Sequence, residues 1–175
     1  VKKMFPSMLT LGNLLLGFAA ILLIFQDQKT TAVLLILLGL VCDFFDGFCA
    51  RKLNAESALG KELDSLADLV TFGVAPAMLV YASALQHMSV LGAVCCLVYV
   101  ACSALRLARF NAGQSHMCGF VGMPTPMAAV ILILLTVTAN PPVLAVGVCL
   151  TSMLMVSRLS FPSLKKIKPE VVEDC

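Results

Sequence analysis

Residues 31–73 read TAVLLILLGLVCDFFDGFCARKLNAESALGKELDSLADLVTFG. An apolar run ends in two carboxylates, Asp43 and Asp46. A short polar segment follows, and a second apolar run then opens on Asp64 and Asp68. A helix that crosses a bilayer needs about 20 mostly apolar residues. Thr31–Ala50 and Leu63–Leu85 both have that length. The link between them, Lys52–Leu59, is short enough to make the two helices antiparallel neighbours. On a helix, positions i, i+3, i+4 and i+7 share a face. Asp43, Asp46, Gly47 and Ala50 have that spacing, and Gly60, Asp64 and Asp68 follow at i, i+4 and i+8. The two stripes are expected to meet and gather four carboxylates at one depth, near the cytoplasmic side.

The rest of the chain repeats the apolar pattern. Of 175 residues, 60% are hydrophobic and only 13% charged, with a mean hydropathy of +0.99. A soluble domain is about half apolar and a quarter charged. A water-soluble globule, a disordered chain and a nucleic-acid binder are therefore excluded. Four more spans are expected at about Met8–Phe25, Met88–Leu107, Thr125–Ala139 and Val143–Phe161. Pro124 and Pro126 open the fifth, where a missing N–H is no loss. Lys2-Lys3 before an apolar run has the look of a signal peptide, yet five further spans make the chain polytopic in either case.

The fold class expected is an all-α integral membrane protein of six transmembrane helices. Basic residues mark the cytoplasmic side of such a protein. With six spans, Lys2, Lys3, Arg51, Lys52, Lys61, Arg106, Arg109, Arg158, Lys165, Lys166 and Lys168 share one side, against Lys29 on the other. Both termini are expected in the cytoplasm. One membrane domain, 1–164, and a polar tail, 165–175, account for the chain. The eight cysteines form no CxxC pair and lie mostly in spans, where Cys acts as a small apolar residue.

The ten acids are not spread evenly: six lie between positions 43 and 68, and none between 69 and 169. An Asp at the centre of a membrane helix costs about 2.5–3.5 kcal/mol, so four need compensation. Divalent cations supply it, since carboxylate oxygens suit Mg²⁺, Mn²⁺ or Ca²⁺. Neither histidine lies in the stretch. Gly47, Ala50 and Gly60 leave the backbone open to a ligand, and Arg51 stands one turn on, able to neutralise a phosphate. Metal, Arg and an open glycine face together serve phosphoryl transfer. A charged loop that merely orients the protein explains Lys52, Glu56 and Lys61, but not four Asp at helical spacing.

The pattern Asp43-x2-Asp46-Gly47-x2-Ala50-Arg51-x8-Gly60-x3-Asp64-x3-Asp68 resembles the signature of the CDP-alcohol phosphatidyltransferase family at all eight fixed positions over 26 residues. The resemblance implies an integral membrane enzyme that moves a phosphatidyl group from a CDP-linked lipid to an alcohol and releases CMP. It implies that Asp43, Asp46, Asp64 and Asp68 hold two divalent cations, and that Asp68 is also the general base. It implies that Gly47, Arg51, Ser57 and Gly60 bind the CDP-lipid. It also implies a homodimer in the plasma membrane, with the active site facing the cytoplasm and membrane lipids around it.

The signature leaves the acceptor alcohol open. A second block, RLARFN at 106–111 followed by GFVGMPTP at 119–126, is similar to the serine-accepting bacterial and archaeal branch of the same family, as is Pro6-Ser7-x-Leu9-Thr10-x-Gly12-Asn13. That likeness implies CDP-diacylglycerol and L-serine as substrates, with Asn13, Arg106, Arg109 and Asn111 as candidates for serine or phosphate contact. Arg binds both carboxylate and phosphate bidentately. Two other readings stand beside this one. The first is the same chemistry with glycerol 3-phosphate, inositol phosphate or an ether lipid. The second is a divalent-cation transporter, against which no broken helix pair or inverted repeat appears.

Overall fold

Long apolar runs broken by short polar segments produce helices and turns only across residues 4–52, 58–113, 123–138 and 140–157, the residues that this computed structural model describes. The first helix, α1, covers Met4–Phe25, and α2 covers Lys29–Lys52. The third span is composite. It starts as α3 (Ala58–Asp68), continues as a π-helical stretch over Leu69–Val74, and finishes as α4 (Ala75–Ser83). A short 3₁₀ turn, Leu85–Met88, leads into α5 (Ser89–Gly113). Two shorter helices follow, α6 (Thr125–Thr138) and α7 (Pro141–Val156).

Among the described residues, four helical stretches are long and apolar enough to cross a membrane: Ser7–Phe25, Lys29–Cys49, Ala58–Ser83 and Val90–Ala112. The fifth and sixth expected spans form as apolar helices of 14 and 16 residues. At 1.5 Å per residue these reach about 21 and 24 Å. Helical structure begins earlier in the third span than hydropathy suggests, at Ala58 rather than Leu63. Lys61 and Glu62 interrupt its start, so hydropathy does not mark it, but Leu63, Asp64, Ala67 and Asp68 continue one face inward.

The α1–α2 turn is locally encoded. The amide of Gln28 donates to the Leu23 carbonyl at 2.9 Å, and that of Asp27 to Ile24 at 3.0 Å. These are the two bonds of a Schellman helix end. Its left-handed position is taken by Asp27, with φ 60°. At the other end of the chain, Pro141 starts α7 after an extended Asn140.

The third span lies at the centre, with 56% of its apolar window buried, against 28%, 22% and 28% for the other three. Two apolar cores flank it. One joins Ala20, Ile24, Ala32 and Ile36 of α1 and α2 to Phe72, Ala75 and Leu79, with Ala129 and Ile133 of α6. The other joins Ala77 and Val80 to Cys95 and Tyr99 of α5, Leu132 of α6, and Leu144 and Val148 of α7. Cys95 and Cys149 face each other across the second core with sulfurs 3.8 Å apart, both as free thiols. The outward faces remain greasy: Leu15, Phe18, Leu34, Phe44, Leu97 and Leu150 are all exposed. Water does not tolerate such a surface on this scale; hydrocarbon does.

Candidate active site

Asp43 comes from α2, nine residues before its end, and Asp68 from α3, ten residues after its start. The two helices run antiparallel, so these positions fall at the same level, about 14–15 Å from the shared end. Asn13, nine residues into α1, falls at that level too. Oxygen atoms of Asp43, Asp64 and Asp68 come within 4.8 Å of one another, a group able to hold a metal ion. The Asp43 and Asp68 carboxyl groups lie side by side. Asp46 stands close enough to Asp64 and Asp68 for their charges to interact, and takes a hydrogen bond from the Thr10 side chain.

The donor set fits a hard divalent cation. Asp46 Oδ2 and Asp64 Oδ1 are buried and lack a hydrogen-bond partner. Buried carboxylate oxygens without partners are costly, and a cation among them removes that cost. Among the described residues the group consists of carboxylate oxygens, the ligand type that Mg²⁺ and Mn²⁺ prefer.

The π-helical stretch begins directly after Asp68. Its widened turn is visible in the bond from the Ala75 amide to the Val70 carbonyl, five residues back. Such turns occur frequently at functional sites, and here neighbouring helices hold it. Thr71 donates to the Asn13 carbonyl at 3.0 Å, and the Tyr99 hydroxyl to the Phe72 carbonyl at 3.1 Å. Glycines let the helices close in: a Cβ on Gly17 would lie 2.3 Å from Thr71 Oγ1, and one on Gly39 2.7 Å from Thr71 Cγ2.

The other candidate residues divide into groups. Asn13 is wholly buried, and its side-chain amide donates to Asp68 Oδ1 at 3.4 Å. Arg106 is within electrostatic range of Asp68 and donates to the Thr125 hydroxyl at the start of α6. Arg109 is exposed and reaches the Val156 carbonyl at 3.3 Å, capping the end of α7. Asn111 turns to α3, donating to Glu62 Oε2 and Ser65 Oγ, each at 3.0 Å. Gly47 lies in α2 and Gly60 in α3, both half-buried. Arg51 belongs to α2, but its side chain lies outside the described residues, as do Ser57 and residues 114–122. Thr71, Tyr99, Gly17 and Gly39 had no signal in the sequence beyond their apolar surroundings. Thr10 had one: it sits a turn before Asn13.

Comparison with known proteins agrees with this arrangement. A sequence model described as CDP-alcohol phosphatidyltransferase matches residues 3–161. The chain is similar to the CDP-diacylglycerol–serine O-phosphatidyltransferase of Bacillus subtilis (strain 168), 49% identical over 168 residues that cover 96% of this chain and 95% of that one. It is 35% identical over 176 residues to the protein of the same name from Helicobacter pylori (strain J99), covering 94% and 74% of the two chains. The Methanocaldococcus jannaschii protein of that name is 36% identical over 154 residues, covering 87% and 71%.

Proposed function

The chain belongs to the CDP-alcohol phosphatidyltransferase family, and from that premise we propose that it transfers the phosphatidyl group of CDP-diacylglycerol to the hydroxyl of L-serine. The products are phosphatidylserine and CMP. The meeting of Asp43, Asp64 and Asp68 across two facing helices carries the chemistry. The choice of serine rests on the name borne by the Bacillus relative, which is 49% identical over 96% of this chain.

Asp43, Asp46, Asp64 and Asp68 would hold two divalent cations, Mg²⁺ or Mn²⁺. When bound, such ions draw negative charge from a diphosphate and stabilise its cleavage. Asp68 takes the proton of the serine hydroxyl as the oxygen attacks the lipid-bearing phosphorus. The new bond forms to phosphorus, the bond to the bridging oxygen breaks, and CMP leaves with the electron pair. A carboxylate in reach of the hydroxyl is the requirement for that proton transfer. Gly47, Arg51, Ser57 and Gly60 would bind the CDP-lipid, the glycines by leaving space and Arg51 by meeting phosphate. Arg106, Arg109 and Asn111, all on α5, are the candidates for serine or phosphate contact, with Asn13 beside Asp68.

The protein is multi-pass in the plasma membrane: six helices, both termini and the active site on the cytoplasmic side, one domain over 1–164 with a polar tail after it. It works as a homodimer among membrane lipids. The exposed apolar faces and the 11-to-1 division of basic residues support this reading. The deciding experiment measures CMP release by purified protein from CDP-diacylglycerol with serine, glycerol 3-phosphate, inositol and inositol phosphate. Serine alone should support turnover. Release with glycerol 3-phosphate and none with serine would overturn the acceptor.

A further inference from the structure

We propose that Asn13 is a positioning residue for Asp68, its side-chain amide fixing one carboxylate oxygen while Thr71, Gly17 and Gly39 hold Asn13 in place. The inference deepens the transferase reading and rests on it, since it takes Asp68 as the base. It gives Asn13 a role other than contact with the acceptor.

A carboxylate that acts as a base must present one oxygen to an incoming hydroxyl. The terminal torsion of an Asp is broad and roughly two-fold, so nothing intrinsic fixes which oxygen faces the substrate. The Asn13 amide occupies Oδ1 of Asp68 at 3.4 Å, so the two oxygens of the carboxylate are no longer equivalent. The contact is long, as catalytic hydrogen bonds often are before substrate binds. Asn13 itself is 0% exposed. It therefore offers no surface to an alcohol arriving from water.

The hold on Asn13 comes from three elements. Thr71 Oγ1 donates to its main-chain carbonyl at 3.0 Å. Thr71 is three residues after Asp68, so one turn of the central span grips Asn13 twice, by its side chain and by its backbone. Gly39 of α2 closes the far side: a Cβ there would lie 2.8 Å from Asn13 Oδ1. Gly17, one turn along α1, lets Thr71 approach, because a Cβ there would lie 2.8 Å from the Thr71 Cα. A buried amide tied by its backbone and packed close to α2 transmits its own position to the carboxylate beside it. Supporting residues of this kind typically affect activity 10- to 100-fold.

The test compares the detergent-purified wild type with Asn13→Ala, Thr71→Val and the double variant, at saturating Mn²⁺. Three quantities are read: steady-state CMP release with CDP-diacylglycerol and serine, equilibrium binding of CDP-diacylglycerol, and Tm. Asn13→Ala should lower kcat about 10- to 100-fold and leave both KM values and lipid binding unchanged. Thr71→Val should lower kcat by less, and should add nothing in the Asn13→Ala background, because residues acting through one contact are not additive. Should Asn13→Ala fail to fold, Thr71→Val alone carries the same split between kcat and KM. A raised serine KM with intact kcat would make Asn13 an acceptor contact and overturn the inference. Unchanged kcat in both single variants, with an active wild type, would also overturn it alone. A wild type that releases CMP with no alcohol removes the transferase reading and this inference with it.

Discussion

Replacing Asp68 with Asn keeps the side chain's shape and removes its charge and its basicity. Turnover should fall by about 10²- to 10⁴-fold, the usual contribution of a general base, while equilibrium binding of CDP-diacylglycerol persists. Near-normal CMP release would remove Asp68 as the base. The four carboxylates were legible because helical spacing is simple arithmetic and a charge in an apolar span needs a reason. Asn13 was legible only as part of a motif. What it touches depends on α1 lying against the third span, 55 residues away in sequence. Arg109 and Asn111 show the opposite case. Their spacing resembles a substrate block, yet Arg109 caps α7 and Asn111 ties the end of α5 to α3. Arg109→Lys should raise the serine KM more than the CDP-diacylglycerol KM if its side chain leaves Val156 to meet substrate; equal effects on both would restrict it to capping.

Helix–helix approach, the next scale up, is set by small residues. Gly17 and Gly12 lie on the same helix and answer differently to an added methyl. At Gly17 it would meet Thr71 side-chain and backbone atoms at 2.3–2.9 Å, whereas at Gly12 nothing lies within 4 Å. Gly17→Ala should cost about 1–3 kcal/mol as overpacking and lower Tm. Gly12→Ala should gain about 0.5–1 kcal/mol from better helix propensity. Thermal unfolding in detergent measures both, and a Gly17→Ala protein as stable as Gly12→Ala would show that the close approach is dispensable. The sequence contains the helices themselves, since runs of 20 apolar residues permit little else. It contains the α1–α2 turn less openly, because Asp27 occupies a position where glycine is usual. The π-helical stretch is invisible in LVTFGV: its cause is tertiary, in the hydroxyls of Thr71 and Tyr99 and the helices they join.

At the scale of the whole molecule, one central span bridges two apolar cores and carries Asp64 and Asp68 at a level shared with Asn13 of α1 and Asp43 of α2. Access to that level is expected from the cytoplasmic side only. In sealed vesicles of defined orientation, EDTA added outside should abolish CMP release when the cytoplasmic face is outward, and Mn²⁺ or Mg²⁺ should restore it. With the opposite orientation external EDTA should have no effect. Loss of activity in both orientations would place the site elsewhere, and EDTA-resistant release in both would remove the cation. The expected sidedness rests on Lys and Arg counts, whereas the central place of the third span was not legible, because its mean hydropathy of 1.5 is the lowest of the four long spans and does not mark it as the most buried. The π-helical stretch also holds a spare residue. An α-helix turns by about 100° per residue, and a widened turn fits one residue more into nearly the same rotation. Deleting a single residue from 69–74 would let the segment relax to an ordinary α-helix while Asp68 and α4 keep their faces. The span would stay as greasy and nearly as long, so the protein would still insert, but Thr71 and Phe72 would no longer stand where Asn13 and Tyr99 meet them. The extra residue serves the neighbouring helices, and its loss should lower Tm through those contacts.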